Sequence, residues 1–263
     1  MELFPSNYDV IALIVDLMLV LVAFLYVGIS IFTPMILYKK EKINKFQARK
    51  MVHLFAGLAV LVTPFFTWKL FGTIIAGLLT VVTLLSSKKS KVKKLQELYE
   101  TIGEEAEESL ERPYLQGPFH YCLAITLIVT IAAIFFPNQI YFAIAGILIM
   151  IISDTLASLF GKKYGKHPIN ISWTKTTRSL EGSIMMFLSA FILCFGAFLI
   201  YGFFNIGGTQ QALNFFDVLI LSLITSLVAT FIELISPSTW DDLTIPIGTT
   251  LSIFLIVYLA SLI

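Results

Sequence analysis

Long apolar runs, broken by short polar stretches, set the rhythm of this chain. Eight can be drawn, at roughly 8–33, 51–66, 69–85, 117–136, 139–160, 180–204, 215–236 and 243–263. A helix needs about 20 residues to cross a bilayer core. The runs at 51–66 and 69–85 fall short of that, and two readings stay open: two spans, or one span plus a re-entrant piece. The runs are continuous rather than alternating residue by residue, so they predict helices and not the strands of a barrel. The expected fold is an all-α, polytopic membrane bundle of about eight transmembrane helices. It forms a single integral membrane domain, 1–263, with one helical insertion at about 87–113. The first run has no basic residue before it and no small-residue cleavage site after it, so it reads as a retained anchor.

Composition agrees. Hydrophobic residues make up 57 % of the 263 and charged residues 13 %, about half the charge of a soluble domain. An extracellular, disordered or nucleic-acid-binding protein is thereby excluded. Net charge is +1, so any electrostatics must be local. Cys122 and Cys194 lie in apolar runs and read as small hydrophobes, not as a disulfide framework.

Charge position adds direction. Seventeen of the eighteen basic residues fall in three alternate loops, after runs one, three and five; the exception is Lys69. With eight spans, the positive-inside rule puts those loops in the cytoplasm and both termini outside. The insertion 88–111 carries Val92, Leu95, Leu98, Tyr99, Ile102 and Ala106 at helical spacing, lysines first and glutamates last. Two readings fit it: a helix whose lysines meet lipid headgroups, or a solvated connector. Gly103 is positioned to kink or end it.

A carboxylate inside a bilayer is costly and needs a reason. Asp16 lies away from the basic loops and reads as a hydrogen-bonding residue. Asp154, Glu181 and Glu233 fall near the cytoplasmic ends of runs five, six and seven, with Asp241 and Asp242 in the next short loop. Asp154, Ala157, Ser158 and Gly161 share one helix face. Gly161, Lys162, Lys163, Gly165, Lys166 and His167 alternate glycine with cation, a pattern that lets backbone amides approach an anion. It also suits a plain positive-inside loop. Lys175, Arg178, Glu181 and Gly182 follow at a helix start, where phosphate is favoured. Arg49, His53 and Gly57 share a face at the start of run two, beside Lys50. Carboxylates, cations and glycines at one membrane face suggest a polyphosphate held with Mg²⁺. No GxxxxGK[ST], HExxH or GxSxG motif is present.

Three stretches resemble those of the CTP-dependent polyprenol kinases, a group that includes dolichol, phytol and CTP-dependent diacylglycerol kinases. DTLASLFGKKYGKHPINISWTKTTRSLEGS, residues 154–183, follows the pattern DxxAxxxG, xxxG, then a basic stretch ending in EGS. RKMVHLFAG, residues 49–57, is similar to RKxxHxxxG. ELISPSTWDDLTIPI, residues 233–247, is similar to the E…P…DNLTxP segment. Two departures keep charge type: TRSLEG for KKTxEG, and Asp241–Asp242 for Asp–Asn.

The resemblance implies transfer of the γ-phosphoryl group of CTP to a lipid alcohol, first of all a polyprenol or related isoprenoid, at the cytoplasmic face. It implies Mg²⁺ on Asp154 with Glu233 or Asp242, and Lys162, Lys166, Lys175 and Arg178 on the triphosphate. Asp241 or Asp242 would take the hydroxyl proton. Glu181 would act among the catalytic carboxylates, with Gly161, Gly165 and Gly182 around the nucleotide. Arg49, Lys50 and His53 would touch phosphate or the lipid entrance. The implied partners are CTP, the lipid alcohol and the bilayer, with an oligomer left open. Phosphatidate cytidylyltransferases carry a related stretch, so a CDP-lipid synthase is the alternative. A secondary transporter is the third reading; it would set its charges near the midplane and show a pseudo-repeat.

Overall fold

The computed structural model describes residues 5, 8–103, 114–174, 177–237 and 240–260. It is almost wholly helical and divides into two compact units, Met1–Thr126 and Leu127–Ile263. Among the described residues, seven helices are long and apolar enough to cross a membrane, and an eighth, Leu70–Leu85, is apolar but shorter. The protein is a multi-pass membrane protein. Its lipid-facing surface is plain on α1 (Val10–Lys39), where Leu17, Met18, Leu21, Val22, Leu25 and Ile29 are all at least half exposed.

In the first unit α2 runs Lys45–Gly57 and continues as a 3₁₀ helix, Leu58–Phe65. A capping box sets its start: the Asn44 side chain accepts from the Gln47 amide at 2.8 Å, and Gln47 Oε1 accepts from the Asn44 amide at 3.0 Å. The span therefore begins six residues before the apolar run. With its 3₁₀ stretch it reaches about 35 Å, enough for a bilayer core. After α3 (Leu70–Leu85) comes α4 (Lys93–Ile102). Lys39, at the end of α1, meets Glu97 of α4 at 2.8 Å. The polar ends on either side of α2 and α3 thus lie together, so the chain goes out along one and back along the other. The first two basic loops share an end of the unit.

The apolar face of α4 is spent on protein. Leu98, Tyr99 and Ile102 pack with Met35, Val52 and Leu115 in one buried cluster. The helix stops at Gly103, whose amide donates to the Tyr99 carbonyl at 2.9 Å. The glutamates at 104–111 and Arg112 lie outside the described residues. Lys39 beside Glu97 holds that carboxyl below its usual range, chiefly through their hydrogen bond.

Asp16 and Lys69 belong to one device. Asp16 is fully buried and accepts from the Thr67 and Trp68 amides at 2.8 and 2.9 Å. Lys69 donates to the Pro64 and Phe66 carbonyls at 2.7 and 2.5 Å. Where the 3₁₀ helix ends, backbone groups lose their partners, and these two side chains supply them.

α5 (Gln116–Phe135) runs across the division between the units. The second unit is built around one buried helix. α6 (Ile140–Leu148) passes through a π turn, Ile149–Ser153, into α7 (Asp154–Tyr164). Residues 140–151 are all buried. Around it stand α8 (Leu180–Ala197, extended by a π turn to Phe203), α9 (Phe215–Ile235) and α10 (Asp241–Ala260). Gly146 brings the central helix against α10, where a Cβ would stand 3.1 Å from the Pro246 carbonyl. Between α7 and α8 lies a feature the apolar pattern did not predict: a hairpin of β1 (Pro168–Asn170) and β2 (Thr177–Ser179), with Ile169 opposite Arg178.

Candidate functional site

The site grows from the crossing of α7 and α8. A Cβ on Gly182 would stand 3.0 Å from the Ala157 carbonyl oxygen and 3.4 Å from Gly161 Cα. One on Gly161 would meet Ser179 Oγ at 2.9 Å, and one on Gly165 would meet Ser179 Cβ at the same distance. Close helix packing therefore requires glycine at all three positions. The helix start is also closed locally. Ser179 Oγ accepts from the Gly182 amide at 3.1 Å, and the Leu180 amide donates to the His167 carbonyl at 3.0 Å.

Beside this crossing, α7, the hairpin, α8 and the end of α9 enclose a cavity of about 470 Å³. Ala157, Ser158 and Gly161 line it, so three of the four residues read as one small face do share one. Gly165, Lys162, Lys166, Thr177, Arg178, Ser179, Gly182, Ser183 and Glu233 complete the charged and polar lining. Lys162 and Lys166 are exposed and form its open side. Lys163 does not line it; its ammonium stands 5.1 Å over the Tyr164 ring. The helix carries Gly161, Lys162 and Lys163 in its last turn, so the loop proper begins only at Gly165.

Arg178 is the hub. Nη1 meets Glu233 Oε1 at 2.6 Å, Nη2 lies 3.7 Å from Asp241 Oδ2, and Nη2 donates to the Ser236 carbonyl at 3.3 Å. Its side chain is 14 % exposed and that of Glu233 is 4 %. The register β2 shares with β1 aims Arg178 at the ends of α9 and α10. Trp173, on the same hairpin, donates to the Ile235 carbonyl at 3.2 Å.

Carboxylates from two helices meet Arg178: Glu233 on α9 and Asp241 on α10. Asp154 opens α7 and does not line the cavity. α7 continues ten residues, about 15 Å, beyond Asp154, so this carboxylate lies well below the helix end. Asp241 and Asp242 form the first turn of α10, where the helix dipole favours them. The helix begins at Asp241, and Pro246 lies inside it. Among the described residues no three His, Cys, Asp or Glu side chains are gathered closely enough to hold a metal alone. Mg²⁺ commonly takes one or two carboxylates and completes its shell with water and phosphate oxygens. An all-oxygen set centred on Asp154 fits that pattern.

The other residues read from the sequence lie elsewhere. Glu181 does not line the cavity; its Oε1 meets His167 Nδ1 at 2.7 Å, and Oε2 accepts from the His167 amide at 3.4 Å. Lys175 lies outside the described residues. Arg49, Lys50 and His53 stand on α2 in the first unit. The His53 ring packs on Tyr121 at 4.4 Å, and the Tyr121 hydroxyl donates to the His53 carbonyl at 2.8 Å. Thr177, Ser179 and Ser183 were not singled out by spacing. Only the EGS stretch carried a signal for Ser183, and two three-residue strands are too short to show a period.

Comparison with known proteins gives three likenesses. The chain is 27 % identical to the chloroplastic phytol kinase 1 of Arabidopsis thaliana over 229 residues, 83 % of this chain and 69 % of that one. It is 28 % identical to the phytol kinase of Synechocystis sp. over 233 residues, 86 % of each. It is 27 % identical to the dolichol kinase of Saccharomyces cerevisiae over 161 residues, 61 % of this chain but 29 % of that protein. No family model matches the chain, and no solved structure matches it. The likenesses span most of the chain and support a polyprenol-kinase-like family, the one its three motifs resemble.

Proposed function

We propose that this relative of phytol and dolichol kinases is a membrane lipid kinase that moves the γ-phosphoryl group of CTP to an isoprenoid alcohol at the cytoplasmic face. One observation carries the reading. A single cavity joins exposed lysines, Lys162 and Lys166, to Arg178 and the buried carboxylate of Glu233, at the ends of membrane-spanning helices. Phosphoryl transfer asks mainly for positioning and charge stabilisation, and these residues supply both.

In this reading Lys162 and Lys166 receive the triphosphate at the open side, with Lys175 as a third cation for it. The acceptor's hydroxyl oxygen attacks the γ-phosphorus. A new O–P bond forms, the bond from the bridging oxygen to the γ-phosphorus breaks, and CDP leaves with that electron pair. The hydroxyl proton passes to a carboxylate at the site. Magnesium held by Asp154 with Asp242 would neutralise phosphate charge as it shifts to the leaving group. Glu233 suits that ion less well, because Arg178 already occupies one of its oxygens and repels a cation. Arg178 and Glu181 act as positioning residues: Arg178 joins the hairpin to α9 and α10, and Glu181 ties the loop after α7 to α8.

The test uses purified full-length protein with CTP labelled at either the γ or the α phosphate and a panel of lipids including phytol, a polyprenol, diacylglycerol and phosphatidate. Label from the γ position in an isoprenoid alcohol is the expected result. Label from the α position in phosphatidate would make it a CDP-lipid synthase. Absence of transfer to every lipid would refute both.

A further inference from the structure

Three buried polar atoms of the cavity lining have no hydrogen-bond partner: Arg178 Nε on the hairpin, and one atom each on Glu233 and Ser183. Glu233 is 3 % exposed; Arg178 holds its Oε1, and its Oε2 accepts no hydrogen bond. Ser183 is 9 % exposed, and its Oγ likewise has no hydrogen-bond partner. They come from different helices, α9 and α8, yet line the same cavity. Helix packing explains the glycines nearby but neither of these atoms. Buried polar groups are ordinarily satisfied, so an exception calls for an occupant.

The chemistry of the pair narrows that occupant. A carboxylate oxygen only accepts, while a serine hydroxyl both donates and accepts. A phosphate oxygen brings negative charge against Glu233 and cannot donate to it. A divalent cation meets the Arg178 guanidinium, which lies 2.6 Å from the other carboxylate oxygen. A neutral hydroxyl satisfies both atoms: its O–H donates to Glu233 Oε2, and one of its lone pairs accepts from Ser183 Oγ–H. No charge is buried in the exchange, and a second lone pair on the hydroxyl oxygen stays open for attack.

We propose that Ser183 and Glu233 form the seat for the hydroxyl group of the lipid acceptor. This deepens the kinase reading and rests on it for the acceptor's identity. The cations of the open side and the hydroxyl seat then divide one cavity between donor and acceptor. Glu233 becomes the residue that distinguishes an alcohol from a lipid of the same shape without an O–H, and Ser183 the one that holds the ligand oxygen.

The experiment measures binding without nucleotide. Full-length protein in detergent micelles is titrated with phytol and with phytyl methyl ether, which keeps the chain and loses the donor. Wild type should hold the alcohol about tenfold more tightly. Glu233→Gln should bring the two ligands to within about twofold, the size of a residual neutral contact. Ser183→Ala removes a donor that alcohol and ether oxygens both accept from, and should weaken both about five- to tenfold while keeping the preference. Mn²⁺ binding in the presence of CTP, followed by spin resonance, should be unchanged in Glu233→Gln. Equal binding of alcohol and ether by wild type overturns the proposal, as does a Ser183→Ala variant that binds both ligands as tightly as wild type. So does a Glu233→Gln variant that loses Mn²⁺ and keeps discrimination. If Glu233→Gln does not fold, the Ser183→Ala result decides alone. Transfer from CTP is assayed separately. Discrimination without transfer removes the kinase reading and keeps the seat; transfer without discrimination does the reverse.

Discussion

Replacing Arg178 with methionine keeps the length of the side chain and removes its charge. Glu233, its side chain 4 % exposed, then loses the cation at 2.6 Å, and Asp241 loses the one at 3.7 Å. Breaking a buried pair from one side costs about 3–5 kcal/mol, because the remaining charge is left uncompensated. In a chain of this size that lowers the unfolding midpoint by about 10 °C. The double variant Arg178→Met/Glu233→Leu removes both charges and fills similar volume. It should recover most of the loss, since well-packed apolar replacements of buried pairs are often neutral or stabilising. It should still transfer no phosphoryl group. Thermal unfolding in micelles, followed by tryptophan fluorescence, reads stability, and γ-label transfer reads function. A single variant within about 1 kcal/mol of wild type, the worth of a solvated pair, would refute the reasoning. A double variant no more stable than the single would refute it equally.

Lys166→Ala removes one exposed cation from the cavity; the CTP requirement should rise roughly ten- to hundredfold, with the unfolding midpoint unchanged. Asp154→Asn should abolish turnover in a folded protein. Asp16→Asn should leave the CTP requirement intact and destabilise the turn at Thr67 and Trp68 by about 1–3 kcal/mol. Cysteines placed at Lys45 and Lys91 should label from the same side of a vesicle; opposite labelling would undo the out-and-back path of α2 and α3. The Lys39–Glu97 contact should be fully present above the ordinary glutamate pKa and be lost as pH falls through the lowered folded value. Amide protection along α4, corrected for the intrinsic exchange rate at each pH, should therefore fall in acid, and not in a Glu97→Gln variant, where it is already low.

How far the chain could be read depended on distance along it. Helical spans, the small face from Ala157 to Gly161 and the stop at Gly103 are local, and periodicity or a single residue type reveals them. The start of α2 was misplaced because a capping box of two polar residues, not apolar content, sets it. Asp16 and Lys69 each looked anomalous, and nothing in their spacing says that both serve one broken helix end. The pairing of Arg178 with Glu233 spans 55 residues and four elements, and depends on a hairpin with strands of only three residues. The stretches at 154–183 and 233–247 supply the cavity lining, but which side chains share a cavity is a property of packing. His53, Arg49 and Lys50 show the converse: they share a turn of helix with one another while standing in the other compact unit.

The π turn from Ile149 to Ser153 bears on how this protein can change over generations. Such a turn is an α-helix that has taken in one extra residue. Removing a residue from it would restore regular hydrogen bonding and leave a long, apolar span intact. It would also rotate everything after it by about 100° relative to the buried segment before it. Asp154 and the small face behind it would then turn away from α8 and α9, in a chain that still inserts and still packs its upper half. Length between Ile140 and Tyr164 should therefore be held constant among functional descendants.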